Sequence, residues 1–446
     1  MKKIDLTEGN ILKILLIVAV PSIISGLLQF TYNIVDMFIL GQALGTNAIS
    51  GVGSATVFIG YGVSVISLVV NGVGVRISHS LGSGNKEDYY KYLNAAYFLY
   101  AIIAVFFFLM FTIFTNFTLS FLNIETEEVY NNAYTYLKVY GFVNIFAFLN
   151  TIYTRVLTSS GLSKAYMVIN SIGVIINLFL DILLVWVFDF GVFGAVVATL
   201  IAQFIMTAIF FIKYKENLAY VPKNKVDLNY AKDIFNLGVP YCIQRLFFTF
   251  ISMLIARELV SLGDEAMAAQ RLGLQIETVT LLVTGGIMSA VSAFVGQNFG
   301  AQKYDRINLV FKDAIVISEI YALLTSSLFL IFSEEIAGLF VNDALTIEYT
   351  AMYLKYIAYG QFFAVLEMLG NAFYNGIGKP KIPTYISVTI TPLRLVFAMV
   401  LSKTYGVEAV FFGVLFTTIL KGIISYGYYL FFVKAKVGVS ILPKQK

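Results

Sequence analysis

Two aspartates, Asp36 and Asp181, lie within long apolar stretches, with no obvious basic partner at the same predicted depth. An ionisable group in the hydrocarbon of a membrane costs roughly 2.5 to 3.5 kcal/mol, so each one needs a partner or a purpose. Gln29 lies seven residues before Asp36, and Asn177 lies four residues before Asp181, so each acid heads a polar stripe on one helical face. We expect both acids in one cavity.

Such a pair of acids has two uses. Two carboxylates in one pocket of low dielectric constant cannot both ionise cheaply, so the pair is expected to accept a proton. Carboxylate, amide and hydroxyl oxygens also suit a hard cation, which predicts a sodium site at Asp36, Asn177 and Asp181. The alternative is that these polar residues only connect helix to helix, although packing alone does not need uncompensated charge.

Four charged residues of the second half are also predicted near the middle of the membrane: Arg245, Glu277, Glu367 and Arg394. Two positive and two negative charges can cancel, which favours a structural network of ion pairs. In the other interpretation, Glu277 or Glu367 binds a cationic substrate or a second coupling ion. The sequence leaves both interpretations open.

The composition indicates whether these charged residues belong to a water-soluble protein or to a membrane protein. Hydrophobic residues make up 59% of the 446 residues and charged residues 13%, and the mean hydropathy of +0.82 is far too high for a water-soluble globule. A helix needs about 20 apolar residues to cross a membrane, which predicts an all-α integral membrane protein with twelve transmembrane helices. The predicted spans are residues 12–40, 48–80, 90–115, 128–158, 164–188, 192–214, 234–261, 265–297, 307–332, 345–374, 382–403 and 406–433.

The two halves of the chain repeat each other at an offset of about 218 residues. Val20-Pro21 recurs as Val239-Pro240, and Tyr136-Leu137-Lys138 recurs as Tyr353-Leu354-Lys355. We therefore expect two pseudo-symmetric six-helix bundles, as in secondary transporters whose lobes rock against each other. The predicted domains are an N-terminal lobe of residues 1–215, a cytoplasmic linker of residues 216–232 and a C-terminal lobe of residues 233–446.

A proline lies inside the first helix of each repeat, at Pro21 and Pro240. Proline lacks the amide N–H and its ring clashes with the preceding turn, so it kinks a helix. A bend at Pro21 would change the space around Asp36, which predicts a hinge. A fixed structural kink is the alternative.

Charge along the chain predicts the orientation in the membrane. Lysine and arginine concentrate in alternate connecting segments, and the other segments carry mainly acids, with Lys403 as the main exception. By the positive-inside rule both termini are cytoplasmic. The net charge of +4 is better explained by anionic lipid headgroups than by a nucleic-acid partner. Neither an ATP-binding loop nor a pairing of nucleophile and base is visible, which disfavours an ATP motor or an enzyme.

Several segments match one known family. Residues 32–36 followed by Gly41, residues 177–181, residues 191–195 with Thr199, and residues 295–301 resemble signatures of the multidrug and toxic compound extrusion (MATE) transporters. The resemblance covers nearly the whole chain. It implies twelve helices in two six-helix bundles of the bacterial cytoplasmic membrane. It also implies export of organic cations or other amphipathic compounds in exchange for sodium or protons. We expect no other cofactor, and we expect the protein to function as a monomer.

The resemblance also assigns candidate site residues. The family's cation site in the first lobe falls on Gln29, Asp36, Tyr136, Asn177, Asp181 and Thr199. A second-lobe pattern falls on Glu277, Gln297, Glu367 and Arg394. The chain departs from one branch of the family, which carries a membrane acid where this chain has Phe248, so a sodium site built on that acid is not expected here.

Two other functions remain alternatives at this point. A lipid-linked saccharide flippase of the same wider superfamily would need a hydrated cationic cavity for pyrophosphate, whereas the acids of the first half favour positive cargo. A receptor or channel without coupled transport would not need a duplicated bundle with paired acids.

Overall fold

The computed structural model describes residues 4–220 and 226–433, and every regular element in that part of the chain is helical. The helices are α1 (Ile11–Leu44), α2 (Thr46–Gly82), α3 (Lys86–Thr112), α4 (Thr115–Ser120), α5 (Glu127–Ser159), α6 (Ser163–Asp181), α7 (Gly191–Lys213), α8 (Lys215–Leu218), α9 (Leu228–Leu262), α10 (Asp264–Gly300), α11 (Tyr304–Gly338), α12 (Ala344–Gly376), α13 (Lys381–Ile390), α14 (Leu393–Val396) and α15 (Ser402–Tyr428). π-helical segments follow α6, α14 and α15 at Ile182–Val187, Phe397–Leu401 and Tyr429–Val433.

Each of the twelve predicted spans coincides with helix. By length and apolarity, nine segments of the described residues could cross a membrane. Helices α5 and α12 have 33 residues each but are not among the nine. The last of the nine, Lys381–Phe431, covers the predicted span 382–403 and most of the predicted span 406–433. Gly406, at φ 59° and ψ −142°, interrupts the helical geometry at the start of the second of these spans. Only glycine adopts this backbone conformation readily, so it separates the two spans within one apolar stretch.

The chain forms two compact units. Unit 1 comprises Met1–Asp5 and Ile24–Cys242, and unit 2 comprises Leu6–Ile23 and Ile243–Lys446. The unit boundaries therefore fall inside α1 and α9. The predicted division into lobes of residues 1–215 and 233–446 with a linker at 216–232 stays a prediction.

In unit 1, the core lies where α2 packs along α5, with α3, α6 and α7 around them. The first part of α9 also belongs to this unit, because Asp233 forms an ion pair of 2.7 Å with Arg76 of α2 and accepts a hydrogen bond of 2.7 Å from the Tyr92 hydroxyl of α3. Gly238 lets the α9 backbone approach the backbone of α2 closely at Leu68.

Unit 2 has its core where α12 packs against α10, α11 and α15. Residues 6–10, just before α1, belong to this unit and are held by the end of α10 and the start of α11. Asn298 donates a 2.9 Å hydrogen bond to the Leu6 carbonyl, and Arg306 donates one of 2.9 Å to the Gly9 carbonyl. Asn298 lies in the stretch 295–301 that the sequence marked as a motif, so this motif holds the chain that leads into α1.

Helices α1 and α9 both continue through their prolines, Pro21 and Pro240. The carbonyl one turn before each proline loses its amide partner, which weakens the helix at that point. The hinge role of these prolines stays a prediction.

We predict that Gly238→Ala destabilises the protein. A methyl group at this position would collide with the Leu68 carbonyl, and overpacking of this kind costs about 1–3 kcal/mol. Thermal unfolding of the purified protein in detergent should show a lower melting temperature. Gly60→Ala is the matched control, since its methyl group would meet no atom within 4 Å. Equal melting temperatures for the two variants would contradict the packing of α9 on α2.

Candidate ion-coupling and substrate sites

The structure brings Asp36 and Asp181 together. Asp36 lies in the C-terminal part of α1 and Asp181 is the last residue of α6. The two carboxyl groups are close enough for one to donate a hydrogen bond to the other. Further along the same two helices, the Asn170 amide donates a 3.4 Å hydrogen bond to the Ser25 carbonyl. The polar faces of α1 and α6 therefore meet along several turns.

Asp181 is completely buried and only partly satisfied. Its Oδ2 accepts a 3.1 Å hydrogen bond from the Asn177 amide, which lies one turn earlier on α6. Its Oδ1 has no N–H or O–H donor among residues 4–220 and 226–433. The ion pairs in this part of the chain include neither Asp36 nor Asp181. A buried carboxylate without a cation is costly, and a shared proton or a bound cation would relieve that cost.

A cavity of about 360 Å³ opens next to this pair. Tyr136 is buried in its wall, and the Thr199 hydroxyl lies beside the Tyr32 hydroxyl. The Gln29 amide, at the more exposed end, donates a 3.3 Å hydrogen bond to Asn33. The predicted first-half residues that line the cavity are Gln29, Asp36, Tyr136, Asn177 and Thr199.

Glycine shapes this cavity at one position. A side chain at Gly173 of α6 would occupy the space of Met206 of α7. The two helices can therefore pack closely and carry Asn177 and Thr199 to the same cavity.

The residues that line this cavity, together with the buried Asp181, which does not line it, fit two kinds of ion. Paired carboxyl groups can share one proton, as the pair is expected to do when both cannot ionise. Carboxylate, amide and hydroxyl oxygens also match the ligand preference of a sodium ion, and the unsatisfied Asp181 Oδ1 offers such an ion a free acceptor. These chemistries remain predictions for Asp36, Asn177 and Asp181.

A second cavity, of about 730 Å³, lies within unit 2. Lys421 of α15 forms an ion pair of 2.8 Å with Glu367 of α12, and the two side chains are 8% and 13% exposed. Glu277 of α10 accepts a 2.8 Å hydrogen bond from the Tyr353 hydroxyl. Gly273, one turn before Glu277, allows the Tyr353 ring to lie against α10. One acid of this cavity therefore has a lysine as its partner and the other a tyrosine.

Arg394 is held in the same cavity by hydroxyl groups. Its Nε donates a 2.8 Å hydrogen bond to Thr417, its Nη2 donates one of 3.4 Å to Thr418, and its Cζ lies 5.8 Å from the centre of the Phe248 ring. The guanidinium is within electrostatic reach of Glu277 and Glu367, but the ion pairs of the described residues do not include it. Phe248 thus contributes an aromatic wall.

Two residues of the predicted second-half set lie apart from this cavity. Arg245 has an exposed side chain, and among residues 4–220 and 226–433 it forms no ion pair. Gln297 is buried near the end of α10 and is not among the residues that line the cavity. Sequence reasoning missed Lys421 and Arg271, which do line it. Both are charged residues inside predicted spans, so the rule that singled out Glu367 also applied to them.

Apolar helical bundles with charge-lined cavities are the architecture of a membrane transporter. The MatE family model matches residues 21–183 and 240–400, one match in each half. The chain belongs to the MatE family, whose members are transporters and not enzymes. The predicted family and the all-α membrane fold are confirmed.

Individual proteins support this assignment. The probable multidrug resistance protein NorM of Thermotoga maritima is 26% identical over 439 residues, which cover 96% of this chain and 93% of the relative. The FAD transporter of Shewanella oneidensis is 26% identical over 443 residues, covering 94% and 95%. A solved outward-facing conformation of a multidrug resistance MATE family transporter of the MOP superfamily has a TM-score of 0.90 at 18% identity, over 98% of each chain. That likeness shows the fold.

The Glu367–Lys421 pair allows a test of its structural role. We predict that Lys421→Met lowers the free energy of unfolding by about 3–5 kcal/mol, because the Glu367 carboxylate is then buried without a cation. The double variant Lys421→Met/Glu367→Met should recover most of this loss, since no charge remains unpaired. Chemical denaturation in detergent measures both. A double variant as unstable as the single one would show that the pair is not what holds these helices together.

Proposed function

We propose that this protein is a cation-coupled antiporter that exports organic cations or other amphipathic drugs, with a proton or a sodium ion as the coupling ion. The observation that carries the proposal is the Asp36–Asp181 pair, in which Asp181 is buried and Asp36 is half-buried, and which none of the ion pairs of the described residues includes. Membership of the MatE family supports export of small molecules, and it favours this function over a lipid-linked saccharide flippase.

The coupling follows from the charge of the pair. In the outward-facing state, an external cation reaches Asp36 and Asp181, neutralises part of their charge and changes how α1 packs. The exported compound is then released outward, and the cation-loaded carrier turns inward, releases the cation and takes up new cargo. This cycle works only when the ion and the cargo each bind the two states with different affinity.

The identity of the coupling ion depends on what Asp181 Oδ1 accepts. A proton on one carboxyl group would donate the missing hydrogen bond to the other. A sodium ion would instead draw together Asp36, Asn177 and Asp181, whose oxygens suit a hard cation. A proton and a sodium ion would both bind to the carboxylate charge of Asp36 and Asp181, so one pocket accommodates coupling to either ion.

The proposed setting is the bacterial cytoplasmic membrane, with both termini in the cytoplasm and with function as a monomer. Basic residues support this orientation, and those at Lys2, Lys3, Lys223, Lys225 and from Lys434 onward lie outside the described residues. Lys86, Lys213 and Arg306, at helix ends, agree with the same side.

We predict that Asp36→Asn and Asp181→Asn each abolish gradient-driven export while leaving the protein folded. An amide cannot exchange a proton, and it weakens a sodium site by one charge. The assay follows a fluorescent organic cation in proteoliposomes under separately imposed sodium and pH gradients, so the effective gradient identifies the ion.

Asp189→Asn is the matched control for this assay. Asp189 is exposed and has φ 51°, a conformation that asparagine also adopts readily, so the same chemical change occurs away from the cavity. Full gradient-driven transport by Asp36→Asn would refute the proposed coupling.

A further inference from the structure

The unit 2 cavity differs in charge from the unit 1 cavity. Five ionisable side chains of the acidic and basic types line it: Arg271, Glu277, Glu367, Arg394 and Lys421. Three of them are basic and two are acidic, whereas Asp36 is the one such residue that lines the unit 1 cavity. A purely cationic cargo would therefore meet attraction in unit 1 and net repulsion in unit 2.

The internal pairing leaves the two arginines available. Lys421 and Glu367 neutralise each other at 2.8 Å. Arg394 donates hydrogen bonds from its Nε and Nη2 to threonine hydroxyls, which hold the guanidinium in place without neutralising its charge. Arg271 is exposed at the cavity wall, and the ion pairs found in residues 4–220 and 226–433 do not include it. The cavity thus presents two guanidinium groups without a carboxylate partner at contact distance.

Guanidinium groups in this state recognise a specific chemistry. Their planar array of donors matches a carboxylate or a phosphate, often through two parallel hydrogen bonds. The surrounding wall suits a flat ring, because Phe248 and Tyr356 are aromatic and Met253 and Met267 can adapt to different shapes. At about 730 Å³, the cavity has the size of a site for a drug-sized molecule.

We propose that the unit 2 cavity binds aromatic compounds that carry an anionic carboxylate or phosphate group, with Arg271 and Arg394 as the residues that hold the anion. This inference rests on the proposed export function and refines its substrate class from organic cations to compounds with an anionic group. Glu277, which has only a tyrosine hydroxyl as partner among the described contacts, gives the same cavity a place for an amine when the compound is a zwitterion.

The test measures equilibrium binding to the purified full-length protein in lipid nanodiscs, without any ion gradient. Two matched pairs of probes separate the two anions: riboflavin 5′-phosphate against riboflavin, and naphthalene-2-carboxylate against naphthalene-2-carboxamide. The anionic member of at least one pair should bind about tenfold or more tightly than its neutral counterpart, as expected for a charge-assisted hydrogen bond. The pair that shows the difference identifies the anion.

Arg271→Gln and Arg394→Gln should each weaken binding of the anionic probe by about tenfold and leave binding of the neutral probe nearly unchanged. Arg271 is exposed, so its variant is expected to fold even where Arg394→Gln does not. Arg257→Gln is the control, since Arg257 is exposed on α9 of the same unit and is not among the residues that line the cavity.

Two results would overturn the inference. One is equal affinity for the charged and neutral members of both pairs, which includes the absence of saturable binding by any probe. The other is an equal loss of affinity in Arg257→Gln and Arg271→Gln. Because binding is measured without a gradient, these results would not contradict ion-coupled export of an organic cation. In the same way, a failure of that export would not contradict the binding result.

Discussion

The cost of burying a carboxylate in an apolar bundle governs the arrangement of unit 1. Asp181 has no exposed surface, one of its oxygens has no donor among the described residues, and its nearest charged neighbour is another acid, Asp36. Packing alone would be better served by two neutral residues. The surrounding amides and hydroxyls, such as the amide of Asn177, lower the cost of burying the carboxylate but do not remove it. We propose that this uncompensated charge makes the site responsive to a proton or a sodium ion.

Unit 2 solves the same physical problem in another way. Its acids have partners from within the protein: Lys421 for Glu367, and the Tyr353 hydroxyl for Glu277. The charge left over is positive and is carried by arginines, which retain their charge under all ordinary conditions. The described cavities of the two halves therefore differ in charge: Asp36 lines one, and three basic and two acidic side chains line the other.

Much of the fold is visible in the sequence, because a long run of mainly apolar residues indicates a membrane helix. All twelve predicted spans correspond to helix, including α5 and α12, which are not among the nine apolar segments. The distribution of helices between compact units was not foreseen. The first part of α9 belongs to unit 1 through Asp233 and Gly238, which depend on tertiary contacts with α2 and α3 that no local pattern records.

The candidate sites could be predicted in part, because a charged residue stands out within an apolar stretch. Asp36 and Asp181 were recognisable because each interrupts a long apolar stretch, and the helical period placed Gln29 and Asn177 on their faces. The second half was harder. Whether Glu367 is paired, and whether Arg245 faces a cavity or the exterior, depends on how each helix is rotated about its axis. Lys421 and Arg271 are single charges within apolar spans, so the signal was present, but their neighbours in space were not readable from the sequence.

Spectroscopy can show directly whether Asp36 and Asp181 hold one exchangeable proton. Infrared difference spectroscopy of the protein in lipid bilayers, stepped between alkaline and acidic pH, detects the carbonyl stretch of a protonated carboxylic acid. A shared proton predicts such a band in the wild type and its loss in the double variant Asp36→Asn/Asp181→Asn, with suppression by added sodium where sodium occupies the same site. An identical spectrum for the wild type and the double variant, together with no effect of sodium, would contradict it.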